Sequence, residues 1–218
     1  KISKIGTQPI IGTQINFKYG DTTGLLPLYA LNEDGYKRII ELSSFSYLNN
    51  NELSDPHLDF NELLIKNSGV SLFSGTVNGL FGQLFNKGKF NEIQELYTKL
   101  KSKFSDKFYI EIQRHGDQNE LSFEKFNLDV SLKLKIALIA TNEVFYIKKE
   151  MHEAHDALIC IKNKTYVNEK NRDKFNDQHY FKSNSEMSEL FHDLPEALEN
   201  NYNFPIRCSF RPLFSKPI

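Results

Sequence analysis

ATNEVFYIKKEMHEAHDALICI, Ala140–Ile161, is the stretch whose reading decides the fold. Just upstream, Lys135–Thr141 reads as a buried strand, with Leu134, Ile136, Leu138 and Ile139 apolar. The apolar run stops at Thr141, Asn142 and Glu143, and His152, Glu153, His155 and Asp156 come within a short distance. In barrels built from parallel strands and helices, chemistry sits where strands end at the carboxyl face. A strand that breaks at once into ionisable residues is therefore where a site is expected.

The same alternation runs through the rest of the chain. Lys89–Phe104 predicts a helix, because Phe90, Ile93, Leu96, Leu100 and Phe104 recur at helical spacing and make one apolar stripe for core packing. A turn at Ser105-Asp106 leads into a strand over Lys107–Gln113. There Phe108, Ile110 and Ile112 face one way, and Tyr109, Glu111, Gln113 and His115 the other, since strand side chains alternate. Further strands are expected at Ile10–Phe17 and Val70–Phe73, and helices at Asp34–Tyr47, Phe60–Ile65, Ser185–His192 and Pro195–Asn201. Ser183 or Ser185 is the candidate N-cap and Pro195 suits a first turn. Asn49-Asn50-Asn51 and Ser54-Asp55-Pro56 mark a loop. Ser74-Gly75-Thr76-Val77-Asn78-Gly79 is a strand-to-helix turn; the phosphate-loop reading fails because Gly88-Lys89 is followed by Phe90. Alternating strands and helices predict an α/β fold with a parallel-dominated sheet.

The 218 residues can build one domain with a real core. A formal net charge of −1 supplies no general attraction to DNA or to an anionic membrane, and counts against a stand-alone duplex-binding module. The two cysteines, Cys160 and Cys208, match no metal spacing and read as reduced, packed thiols of a cytoplasmic protein. No apolar run approaches the ~18 residues that span a bilayer, and KISKIGTQPI lacks the apolar core of a signal peptide. No Gly-x-Ser-x-Gly supports a serine hydrolase.

Asn142–Tyr146 followed by His155-Asp156-Ala157-Leu158 resembles the late part of the PHP (polymerase and histidinol phosphatase) domain, in the form carried by bacterial DNA polymerase III alpha subunits. Other stretches match in family order: Pro9–Gln14, Asn32–Tyr36 with Ile39 and Leu42-Ser43, Val70–Gly75, Phe108–Gly116, Tyr180–Ser183 with Glu186-Met187, and Leu194–Asn200. The resemblance implies a distorted (βα)7, TIM-like barrel, incomplete because the opening His-x-His strand is missing. Residues 1–203 are then an N-terminally truncated PHP domain, and residues 204–218, with three prolines, a connector towards a polymerase palm. The chain is expected to be an internal piece of a longer replicative polymerase, whose palm aspartates would hold magnesium.

Intact PHP sites hold several divalent ions on His and carboxylate ligands, with zinc or manganese suiting such donors. The resemblance makes His115, before Gly116, the surviving metal candidate. Glu143 stands where active members carry Asp, Phe145 where they carry a His ligand, Gln14 where a strand ends in an acid, and Leu25 where many carry His. Each ion needs ~4–6 donors, so the expectation is a degenerate site with vestigial His115 and Glu143, no catalytic residue and no cofactor in this chain. His152 and His155 could share a helix face, but His155-Asp156 is read as a structural helix start; His57, His179 and His192 are read as solvated. The expected role is scaffold and docking surface for the proofreading exonuclease subunit and other holoenzyme subunits, with DNA reached through the parent protein and no membrane. The alternatives are a metal-dependent phosphoesterase or 3′→5′ exonuclease, and an inactive split-gene product.

Overall fold

Residues 6–48, 55–65 and 67–212 are described by a computed structural model. The expected Asn49-Asn50-Asn51 loop and Ser54 lie outside the described residues, as does the end of the expected connector, 213–218. The chain forms a mixed α/β fold around one six-stranded sheet of order β3-β1-β2-β4-β5-β6. The strands are β1 (Gly12–Tyr19), β2 (Thr22–Ala30), β3 (Leu58–Asp59), β4 (Val70–Phe73), β5 (Phe108–Ile112) and β6 (Ala137–Ala140). The helices are α1 (Glu33–Leu48), α2 (Phe60–Ile65), α3 (Leu80–Asn86), α4 (Phe90–Phe104), α5 (Glu120–Leu134), α6 (His152–Asn163), α7 (Asn184–Leu190) and α8 (Pro195–Arg207).

All four expected strand segments share this sheet, but its parallel character is confined to part of it. β4, β5 and β6 run parallel, as do β1 and β3, whereas β2 is antiparallel to both β1 and β4. The correction comes from β2, which the sequence hides behind two strand breakers, Gly24 and Pro27. Both have local reasons. A Cβ at Gly24 would lie 2.5 Å from the backbone nitrogen of Leu80, so α3 approaches too closely for any side chain. Pro27 sits one residue outside the ladder with β4, which begins at Leu28↔Leu72.

α5 was also invisible, for a different reason. Its buried positions, Glu120, Phe123, Glu124, Asn127, Val130 and Ser131, recur at helical spacing, but four of the six are polar. Leu121 and Leu132 point to solvent instead. The hydrophobic pattern is thus erased on the face that packs. On α4, Ile93, Leu96, Leu100 and Phe104 are buried as expected; Phe90 is half exposed and leans on Phe85 and Phe126. Ser105 takes φ 56°, the left-handed turn that reverses the chain into β5.

β5 is buried on both faces, and its alternation separates two cores. Phe108, Ile110 and Ile112 join the main core under α1 to α5. Tyr109 joins Phe73, Ile139, Phe204 and Cys208 on the other face. Phe204 comes from α8, which does not stop at Asn201 but runs to Arg207. The first part of the expected connector is therefore the last turn of this helix. Phe204 packs 4.9 Å from the Phe73 ring, and the Ser209 N–H donates to the Leu31 carbonyl at 2.8 Å. Pro195 occupies the first turn of α8, and Ser183 caps α7 in a capping box with Glu186.

Candidate metal centre and adjoining cleft

β5 and β6 end side by side, pairing Ile112 with Ala140, so the loop leaving one strand meets the loop leaving the other. After β5 the chain turns through His115, Gly116 and Asp117. One carboxylate shapes this turn: Glu120 accepts the backbone N–H groups of His115 (2.7 Å) and Gly116 (2.6 Å), and lies 3.3 Å from His115 Nδ1. A carboxylate that takes an imidazole N–H fixes the ring's tautomer and orientation. That leaves Nε2 as acceptor, and the Glu143 N–H donates to it at 3.3 Å.

The third participant arrives from far along the chain. Residues 145–146 and 179–181 lie parallel: the Phe145 N–H donates to His179 O (2.9 Å), the Phe181 N–H to Tyr146 O (3.0 Å), and Tyr146 bridges Tyr180. Asn142 Nδ2 donates to Tyr180 O (2.7 Å), and Asn176 Nδ2 donates to His115 O (2.9 Å) and Asp117 Oδ1 (2.8 Å). These bonds lay His179 on His115, ring centroids 4.1 Å apart and planes within 3°. His179 is 1% exposed, not solvated as its loop context suggested. Among the described residues, no hydrogen-bond partner reaches either of its ring nitrogens. Instead Nε2 faces Asp117 Oδ2 at 3.7 Å and Nδ1 faces Glu143 Oε2 at 3.9 Å, distances of charge attraction rather than hydrogen bonding.

His115, Asp117 and His179 each offer a ligand atom within 4.8 Å of the others. Asp117 and His179 were missed from the sequence. His-Gly-Asp marked only its histidine, and nothing near His179 signals the long-range pairing that buries it. The His179 ring beside Asp117 holds its carboxyl below the ordinary range. Burial pushes the Glu143 carboxyl up, against the pull of His179 and His115. Glu111, deeper on β5, is also pushed up by burial; it accepts from Thr141 Oγ1 and Gln113 Nε2, and is not part of the His–Asp–His group.

The other sequence candidates have structural partners. Asp156 accepts a two-pronged bond from Arg172, at 2.6 and 2.7 Å. His152, the first residue of α6, lies 2.9 Å from Phe175 O through Nε2. His155 stacks on Phe145, centroids 5.2 Å apart. Gln14, Leu25 and Phe145, the three positions where the family resemblance places missing ligands, come together with Glu143 around one cavity of ≈ 340 Å³, also walled by Pro27 and Phe175.

An orphaned, buried imidazole tests the fit of a metal. An ion bonded to both a histidine nitrogen and a carboxylate oxygen holds them ~3–4 Å apart, and His179 Nε2 stands 3.7 Å from Asp117 Oδ2. The group thus fits one divalent ion. It does not extend to a cluster, because Gln14, Leu25 and Phe145 contribute a neutral amide and two hydrocarbon side chains.

Residues 1–115 match the PHP domain family. The chain is 36% identical over 213 residues to the DNA polymerase III subunit alpha of Caulobacter vibrioides, covering 94% of this chain and 19% of that protein. It is 35% identical over 218 residues to the same subunit of Rickettsia bellii, covering 99% and 18%. For Vibrio cholerae the figures are 33% over 208 residues, 94% and 18%. The chain thus spans less than a fifth of the length of these relatives.

Proposed function

The chain belongs to the PHP domain family, and from that premise we propose that it is the PHP region of a replicative DNA polymerase III alpha subunit, serving there as a scaffold and docking surface. The observation that carries this reading is similarity to such subunits along 94–99% of the chain. The parent would be a DNA-directed DNA polymerase, with magnesium on palm aspartates outside this chain, and would meet DNA through those other regions. The sheet is then an incomplete barrel of the PHP type, residues 1–203 the PHP domain, and residues 204–218 the start of the path to the palm. A polymerase works where the chromosome lies, so the assigned compartment is the bacterial cytoplasm; among the described residues no helix is long and apolar enough to cross a membrane.

The metal site is proposed to be degenerate, with His115 and Glu143 its remnants. Three lost donors around the cleft support this, together with the way the remaining groups are used. His115 is held between Glu120 and the Glu143 N–H, so both of its ring nitrogens are already engaged and one contact must be given up before it can serve an ion. Relieved of catalysis, such a domain would be retained for packing and for binding partners: the proofreading exonuclease subunit and other holoenzyme subunits. Co-purification of the full alpha subunit with the exonuclease subunit tests this. Deleting the region is expected to break the complex, and His115→Ala to leave it intact; a complex that survives the deletion refutes the docking role.

A second reading, a phosphoesterase or 3′→5′ exonuclease, is favoured by one observation, the orphaned His179 nitrogens beside Asp117. His179, Asp117 and His115 would hold a single zinc or manganese ion, which when bound would polarise a phosphoryl oxygen and acidify a water. Elemental analysis of protein purified without chelator, with an assay on 3′-labelled DNA, decides between the two. The leading reading expects less than one firmly bound ion per chain and no cleavage.

A further inference from the structure

The cavity beside the His–Asp–His group is built for something other than a phosphate. Leu25 and Pro27 from β2 and the contacting rings of Phe145 and Phe175 (4.5 Å, 53°) form its apolar walls, and the turn before α3 adds Thr76 and Asn78. Among the described residues, Glu143 is the one ionisable group that lines it, and no lysine or arginine does. The Glu143 side chain keeps 28% of its surface open, yet among the described residues no hydrogen bond is donated to its carboxylate. The Gln14 side-chain amide, also on the wall, has no partner among them either. Phe145 is stacked on His155 on one side and remains 39% exposed.

A carboxylate beside aromatic rings, with neutral polar groups as its only other polar company, is a definite chemical demand. A phosphate would meet a like charge. A neutral hydrocarbon would bury the carboxylate without a partner, which is costly. An ammonium is strongly hydrated and loses that shell on entering. A guanidinium meets each wall: its N–H fork suits a carboxylate and an amide oxygen, its faces stack on aromatic rings, and it is weakly hydrated. We propose that this cavity receives an arginine side chain presented by a partner polypeptide, held by Glu143 and Gln14 and packed against the contacting rings of Phe145 and Phe175. The proposal rests on the reading of Glu143 as released from metal coordination, and turns the same four altered positions into a recognition pocket.

The test is titration of the 218-residue chain with N-acetyl-arginine N-methylamide, followed by two-dimensional NMR. Saturable shifts are expected at Gln14, Leu25, Glu143 and Phe145, with the lysine analogue several-fold weaker and the norleucine analogue without effect. Glu143→Gln, which keeps the shape and removes the charge, should weaken binding at least tenfold. Leu25→Lys, at a 40% exposed position, plants a cation in the pocket and should abolish it. No saturable binding, equal binding of norleucine, or unchanged affinity in Glu143→Gln would each overturn the proposal. Zinc, titrated separately, distinguishes the underlying reading. Zinc binding that needs His179 but not Glu143 revises the metal assignment and supports the separate pocket, whereas zinc binding that requires Glu143 removes it.

Discussion

Replacing Glu120 by Ala probes the turn that carries the candidate site. Its carboxylate takes two backbone N–H groups, from His115 and Gly116, and stands against His115 Nδ1. The His115 N–H is buried, and left unpaired it costs ~1–3 kcal/mol. The Gly116 N–H is at an exposed residue and can turn to water, so its loss is smaller, about 0.5–1 kcal/mol. Removing the acid from the first turn of α5 adds ~0.3–1 kcal/mol through the helix dipole. The sum, ~2–5 kcal/mol, corresponds to a fall in Tm of ~4–20 °C at ~2–4 °C per kcal/mol for a domain of this size. Glu120→Gln keeps one acceptor oxygen and should lose about half as much. Urea unfolding followed by circular dichroism measures the difference, and amide exchange at His115 should accelerate in the Ala variant. A loss below ~0.5 kcal/mol with unchanged exchange would show that the carboxylate does not hold the turn.

Three other outcomes rest on single contacts. Gly35→Ala should destabilise by ~3 kcal/mol or more, since its Cβ would lie 1.9 Å from the Gly69 carbonyl oxygen, backbone that cannot swing aside; thermal unfolding reads this directly. Glu111→Gln should raise Tm at pH 7, because burial raises this carboxyl's pKa and its ionisation above that value works against folding; the wild type, but not the variant, should gain from this group on mild acidification. Glu186 moves the other way. The Tyr180 hydroxyl and the Ser183 cap bring it from 4.5 to about 2, so its contribution is complete above 4.5 and disappears as pH falls through about 2. Glu186→Gln should flatten that part of the acid-unfolding curve.

Much of the fold was legible in the chain because its signals are local. α4 shows its apolar stripe, Ser183 or Ser185 offers a helix cap, of which the structure uses Ser183, and the alternation of Phe108, Ile110 and Ile112 with Tyr109 gives both faces of β5. The family resemblance likewise rests on short runs in order, and it is what singled out His115 before Gly116. β2 could not be read, because Gly24 and Pro27 forbid a regular strand until one knows that α3 crosses at the first and that pairing with β4 begins after the second. α5 could not be read, because four of its six packed positions are polar and take partners that no local pattern shows, among them Arg114 on Glu124 and the Tyr97 hydroxyl on Asn127 Oδ1. The site divides in the same way. The family resemblance implied which ligand positions differ. That His179 stands beside His115 and Asp117 depends on a pairing between residues 145–146 and 179–181, and that Gln14 and Leu25 share a cavity with Glu143 and Phe145 depends on the sheet that brings β1 and β2 to the end of β6. A long-range pairing leaves no local pattern, since the free energy that selects it is gained only when both segments meet on a sheet already formed.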